Sequence, residues 1–228
     1  MRADTPMRAP DAPALDELGG VPVLALMATL QEYGPALAAR LTPTLIGVGP
    51  IEAAVNATRA LGALERAGTR PALVLSLGSA GSARLEQTSV HRVSSVSWRD
   101  IDASPLGFER GRTPFLDLPA ERELPILAPA LPAARLSTGA DVVPDPAAYA
   151  AIDADMVDME SFAVLRACDA YGVPLAGLRA VSDGDAALTR YGDWADCLPL
   201  LDDGLAAAVD ALAADLADGG LARAAPGR

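Results

Sequence analysis

TLIGVGPIEAAVNATRALGALERAGTRPALVLSLGSAGS, residues 44–82, reads as strand, helix and strand in succession. TLIGVG (44–49) is a short apolar run. Pro50 follows it directly, where a helix opens well because a first-turn residue has no N–H partner to lose. Ile51, Ala54, Val55, Thr58 and Leu61 fall on one stripe of that helix, and Gly68 supplies its stop. ALVLSLG (72–78) is apolar without alternation, as expected of an interior strand covered on both faces. Two such strands joined by a helix make a right-handed parallel crossover the economical reading, and with it an α/β fold.

The same grammar extends outward in both directions. VPVLALM (21–27) is a buried strand, followed by the helix candidate QEYGPALAARL (31–41) with Pro35 near its first turn. MESFAVLRACDAYG (159–172) reads as a helix and VPLAGLRAVS (173–182) as a strand, with Gly172 and Pro174 marking the change. HRVSSVSWRD (91–100) is a further strand, residues 100–133 form a Pro-rich excursion, and DDGLAAAVDALAADL (202–216) is the last helix. No repeat and no second boundary interrupts this order. The expectation is one α/β domain over residues 1–228, with frayed tails at about 1–20 and 218–228.

Composition narrows the function classes. Hydrophobic residues make up 51% of the 228 but aromatics only 4%, so the core is built from Ala, Leu and Val packed on a sheet. A net charge of -12 repels polyanions, which argues against nucleic acid and against an acidic membrane surface. VPVLALMATL is too short to span a bilayer, and the polar opening stretch lacks the apolar segment of a secretion signal, so the expected compartment is cytoplasmic. Cys168 and Cys197 set up no ladder of spacings and His91 is the lone histidine; neither a disulfide scaffold nor a metal site is expected.

Three polar groups follow apolar strands: Glu32 after VPVLALM, the SLGSAGS segment (76–82), and Ser182 with Asp183 after GLRAV. Strand ends on one edge of a parallel sheet converge, and ligands sit there. Glu160 opens a helix beside that edge, where unpaired amides favour a negative charge, so it serves either as a cap or as a ligand-gripping acid. Asp183 by itself reads more readily as a turn or cap residue than as a working acid, and both readings stay open. SLGSAGS lacks both the dinucleotide fingerprint and the Lys-Ser/Thr of a phosphate loop, and offers backbone exposed to a small ligand.

Taken in order, GVGPIEAA, SLGSAGS, DIDASPLGF with GRTP, VDMES and LRAVSD resemble the nucleoside phosphorylase and nucleosidase superfamily, most closely its 5'-methylthioadenosine/S-adenosylhomocysteine nucleosidase branch. The resemblance runs from about Val21 to Gly184. It implies a three-layer nucleoside phosphorylase-like fold with a mixed central sheet flanked by helices, a homodimer, and cofactor-free, metal-free hydrolysis of the N-glycosidic bond of adenine thionucleosides in methionine salvage. Carried over by position, Glu32 resembles the carboxylate that activates water and Asp183 the acid that protonates N7 of the leaving adenine. Glu160 resembles the grip on the ribose hydroxyls, with Met159 against the sugar. Ser79 and Arg179 resemble the pair that orients the water-binding Glu. Ala80 and Gly81 resemble the lining beside the base, Val142 and Val143 its flanks, and Phe108 and Ser182 further substrate contacts. The family commonly has an aromatic at the position of Val142, so a looser grip on the purine is expected. The short segment between the first strand and GVGP implies that a hairpin of many relatives is missing.

Three alternatives stay open. A phosphorylase would share the fold but needs cations for phosphate; MATLQE contains no Arg, leaving Arg84, Arg99 and Arg112 as candidate donors. Futalosine hydrolysis keeps the chemistry and changes the 5' substituent. A non-catalytic nucleoside-binding protein would use the same acids as caps and salt bridges.

Overall fold

The structure, a computed structural model, describes residues 13–224. Strands β1 (Asp16–Leu18), β2 (Val21–Met27), β3 (Thr44–Leu45), β4 (Leu73–Gly81), β5 (Val90–Trp98), β6 (Glu121–Glu123), β7 (Ala133–Thr138), β8 (Met156–Asp158) and β9 (Leu175–Asp183) form one mixed sheet. Helices α1 (Pro35–Ala38), α2 (Pro50–Arg66), α3 (Pro146–Tyr149), α4 (Ser161–Tyr171), α5 (Tyr191–Ala195), α6 (Leu198–Ala217) and α7 (Gly220–Ala224) surround it. β2, β4 and β9 run parallel, as the crossover argument requires. β5 then pairs antiparallel with β9 and parallel with β7, β7 runs parallel to β8, and a single antiparallel pair, Gly81 with Val157, returns β8 to β4. The sheet therefore curls back on itself at the carboxyl end of β4.

Alternation along the central strands explains the three layers. Leu24 and Leu26 of β2 and Val74 of β4 face a cluster with Ala53, Ala57 and Leu61 of α2 and Val164 and Cys168 of α4. Val23, Ala25 and Met27 of β2 and Leu73, Leu75 and Leu77 of β4 face Leu201, Leu205, Leu212 and Leu216 of α6 on the other side. Both faces are buried, which is why these strands read as continuous apolar runs.

Several expectations are corrected. On α2 the inward face is Ala53, Ala57, Ala60, Leu61 and Leu64, whereas Ile51 is 77% exposed and Val55 is also exposed. A strip of small alanines lets α2 seat closely against α4 and the sheet, and the bulkier β-branched residues point outward. Of TLIGVG only Thr44–Leu45 pairs with β2, because Gly47 and Gly49 take positive φ and turn the chain into α2. The candidate helix at 31–41 divides into a 3₁₀ turn, Leu30–Glu32, and α1, which opens at Pro35 as expected. The tails are partly built: Asp16–Leu18 pairs with β2, and Leu221 and Ala224 of α7 pack on the α6 side of the core. The remainder of both expected tails, residues 1–12 and 225–228, lies outside the described residues.

Candidate active site

A cleft of about 520 Å³ opens where the carboxyl ends of β4, β8 and β9 meet the 3₁₀ turn after β2. Glu32 enters it from that turn, whose start is capped by Thr29 accepting the Gln31 N–H. Ser79 fixes the carboxylate: its backbone N–H and its Oγ–H both donate to Glu32 Oε1, at 2.7 and 2.6 Å. Gly78 carries no side chain where a Cβ would lie 3.1 Å from the same oxygen, so Glu32 can lie against the strand. Burial pushes the Glu32 carboxyl above its ordinary range; the two Ser79 bonds and the Arg179 charge oppose this, and the charge of Asp158 adds to it.

Asp183 closes β9 on the opposite wall. The β4–β9 register slips between Ala80 and Gly81, so that Val181 pairs with Ala80 and Asp183 with Gly81, leaving Ser182 as the extra residue of a bulge. Bulges bend a strand end and re-aim its side chains. Here Asp183 lines the cleft, accepting from Ser182 Oγ at 2.5 Å on Oδ1 and from the Tyr149 hydroxyl at 3.0 Å on Oδ2.

Glu160 sits at the N-cap of α4 and accepts the Gly49 N–H at 2.8 Å; it thereby joins the start of α4 to the turn that begins α2. Its carboxyl is pushed up to about 8, first by burial and next by the charge of Asp158, against the Gly49 hydrogen bond and Arg179. An acid whose folded pKa lies above its unfolded value supports the fold fully below the unfolded pKa. That support is lost as pH rises through the folded pKa. Glu160→Gln is therefore expected to melt above the parent chain at pH 8–9 and to converge with it by pH 4. Thermal melts across that range check this, and a gap that widens toward pH 4 would contradict it.

Of the other residues singled out from the sequence, Ala80, Gly81, Val142, Val143, Met159 and Ser182 line the cleft together with Ser79. Two do not. Phe108 packs edge-on against Phe115 at 5.5 Å within the excursion, away from the cleft lining. Arg179 lies beneath the floor at 3% exposure and makes no hydrogen bond to Glu32. It donates instead to Asp158 Oδ2 at 2.9 Å, Ser76 Oγ at 2.9 Å and Ser161 Oγ at 2.7 Å. Its charge reaches Glu32 without contact and does not offset the burial of that carboxyl.

The sequence reading passed over Asp158, Tyr149 and Trp194, and named Arg99 only as a candidate phosphate donor. Asp158 accepts from Thr138 Oγ1 at 2.7 Å, from the Ser161 N–H at 3.0 Å and from Arg179, joining β7, β8, β9 and α4 at one point. Removing either member of such a buried pair strands the other, at a cost of about 3–5 kcal/mol. The Ser161 N–H three residues ahead is the capping signal that could have revealed it. Arg99 spends its guanidinium on the carbonyls of Ser137, Asp158 and Asp141, and so shapes the loop that carries Val142. Trp194 of α5 donates its Nε1–H to Ser79 Oγ at 3.0 Å, which leaves the Ser79 hydroxyl proton for Glu32. With Tyr191 packed edge-on against it at 5.6 Å, it adds two aromatic rings to a cleft lining that also holds the exposed Val142.

Chemically, the cleft combines one carboxylate held by two donors, a second held by two hydroxyls, and two further acids, Asp158 and Glu160, with Arg99 and Arg190 in the lining and Arg179 paired to Asp158 beneath it. Such a site stabilises positive charge that develops in its middle and handles protons at both ends.

A model of the Phosphorylase superfamily matches residues 17–214. The 5'-methylthioadenosine/S-adenosylhomocysteine nucleosidase of Bacillus cytotoxicus is 30% identical over 155 residues, 60% of this chain and 65% of that protein; the chain thus spans less than two thirds of the length of this relative. Among solved structures, the 5'-methylthioadenosine/S-adenosylhomocysteine nucleosidase of Campylobacter jejuni matches with a TM-score of 0.70 at 21% identity, over 85% of this chain and 98% of the other. A futalosine hydrolase mutant of Helicobacter pylori matches with a TM-score of 0.62 at 18% identity, over 88% and 98%. Both share the mixed sheet flanked by helices.

Proposed function

Because the chain belongs to the Phosphorylase superfamily, we propose that it hydrolyses the N-glycosidic bond of purine nucleosides, with 5'-methylthioadenosine and/or S-adenosylhomocysteine as substrate. The observation that carries this reading is the pair of separately held carboxyl groups, Glu32 on Ser79 and Asp183 on Ser182 and Tyr149, lining one cleft with Glu160. Glu32 takes a proton from water, whose oxygen bonds to C1' as the C1'–N9 bond breaks. The bonding pair leaves with the base, and Asp183 delivers a proton to N7. The ribose passes through a cationic state that the acidic floor stabilises. Glu160 accepts from, and when protonated donates to, the ribose hydroxyls.

Phosphorolysis is less well supported. Arg84 donates to the Ala154 carbonyl, Arg99 is committed to three carbonyls, Arg112 pairs with Asp117, and Arg190 at the cleft pairs with Asp193. Each of these already has a partner within the chain, which a phosphate dianion would have to share or displace. Dimerisation is part of the proposal, since Val48 at the cleft and Ile51 and Val55 on one face of α2 are exposed and apolar. The reading places the chain in the cytoplasm and in methionine salvage; no helix among the described residues is long and apolar enough to cross a membrane.

The test is incubation with methylthioadenosine in phosphate-free buffer containing chelator. Adenine and free methylthioribose are expected at an undiminished rate. Formation of a ribose 1-phosphate, or dependence on added phosphate, would reverse the assignment, and binding without turnover would leave a nucleoside-binding protein. Adenosylhomocysteine and futalosine in the same assay rank the 5' substituents.

A further inference from the structure

Tyr149 enters the hydrolysis only as one of the two hydroxyls that hold Asp183, and its ring and hydroxyl have no contact there with the substrate. PDPAAY (144–149) forms a single helical turn in which Asp145 Oδ1 caps the Ala148 N–H at 2.9 Å and Pro146 takes the first position. The turn lays the Tyr149 ring against Val143 and Val157, 8% exposed, and aims its Oη at Asp183 Oδ2, 3.0 Å away. Gly81 makes room for it: a Cβ there would lie 1.9 Å from Oη, so any side chain at 81 displaces the hydroxyl. Burial, and after it the Asp183 charge, push the phenol pKa upward, and the hydroxyl keeps its proton.

Each oxygen of Asp183 already accepts one hydrogen bond, Oδ1 from Ser182 Oγ at 2.5 Å and Oδ2 from Tyr149. A carboxyl can read a 6-aminopurine alone, with one oxygen at N7 and the other accepting from the amino group, but here the next polar atom beside Oδ2 is Oη. The N7 and C6 edge presents an acceptor and a donor in 6-aminopurines, and two acceptors in 6-oxopurines. A hydroxyl can serve both, since it carries one proton and two lone pairs.

Resting on the proposed nucleosidase reading, we propose that Tyr149 is a specificity-determining residue that reads the C6 substituent of the purine while Asp183 addresses N7. Its hydroxyl accepts from a 6-amino group while still donating to Asp183, or turns its one proton from Asp183 to a 6-oxo group, so the cleft admits nucleosides of both classes.

Equilibrium binding of adenine, hypoxanthine and unsubstituted purine to the intact chain tests this. The parent chain is expected to bind adenine and hypoxanthine within about 10-fold of each other and purine about 10-fold more weakly, one net hydrogen bond. In Tyr149→Phe the freed Asp183 Oδ2 can accept from the 6-amino group, whereas O6 loses its donor. The hypoxanthine-to-adenine affinity ratio should fall about 10-fold, with purine unchanged. A variant that loses all three bases equally, or a ratio that does not move, overturns the Tyr149 assignment while leaving the nucleosidase reading intact. A parent chain that binds none of the bases overturns both. If Tyr149→Phe melts too low to assay, the parent comparison decides, and discrimination between adenine and hypoxanthine beyond about 10³-fold rejects the proposal.

Discussion

Asp183→Asn is expected to lower turnover of methylthioadenosine about 10²- to 10⁴-fold with a melting temperature close to that of the parent chain. The amide keeps the shape of the carboxyl, and the two groups that hold it, Ser182 Oγ and the Tyr149 hydroxyl, can each reverse from donor to acceptor. What the substitution removes is the transferable proton. A substrate whose leaving group departs without protonation, such as a nitrophenyl riboside bearing the 5'-methylthio group, should therefore lose much less. A structural Asp183 would behave otherwise: melting would fall, and residual turnover would follow the folded fraction on both substrates. Normal melting with undiminished adenine release across pH 5–8 would end the acid assignment.

The parts of this fold that could be read in advance are those where a single periodicity dominates. Most of Val21–Met27, Leu73–Gly81 and Leu175–Asp183 is buried on both faces because each strand is sandwiched between helices, and their short length with flanking Gly and Pro favours strand over buried helix. The glycine-proline junction at 49–50 marked the start of α2 correctly, while its buried face was misassigned. Hydrophobicity alone prefers Ile51 and Val55 inside, whereas close helix packing selects the alanines. β6 and β7 within and after the Pro-rich excursion were missed, since their pairing partners are distant and their own patterns short.

The acids of the cleft were legible for a local reason: each follows a strand or opens a helix, so Glu32, Asp183 and Glu160 could be placed at one sheet edge from order alone. Their supports were not. Trp194 comes from a five-residue helix and Tyr149 from a four-residue one, elements too short to carry a period. Arg179 illustrates the opposite error. Its place within β9 was right, but strand alternation turns it under the floor to Asp158, while Ser79 takes the contact with Glu32.

Glu32→Gln is the change in which activity and stability should move in opposite directions. A glutamine oxygen can still accept the Ser79 N–H and Oγ–H now received by Oε1, so the side chain stays in place. The amide cannot take a proton from water, and turnover should fall about 10²- to 10⁴-fold. Burial raises the Glu32 pKa in the folded chain, so the ionised carboxylate weakens the fold as pH rises through that value; below the unfolded pKa the penalty is absent. The variant should therefore melt higher than the parent at pH 8 and alike at pH 4, while losing activity throughout. In the parent, kcat/KM should rise with pH over the range in which Glu32 ionises, and the variant should lack that rise. A residue kept for the fold alone predicts the reverse coupling, a lower melting temperature with activity lost in proportion. Undiminished hydrolysis by Glu32→Gln would remove the base from the mechanism, and with it the reason for Ser79 and Trp194 to be linked through one hydroxyl.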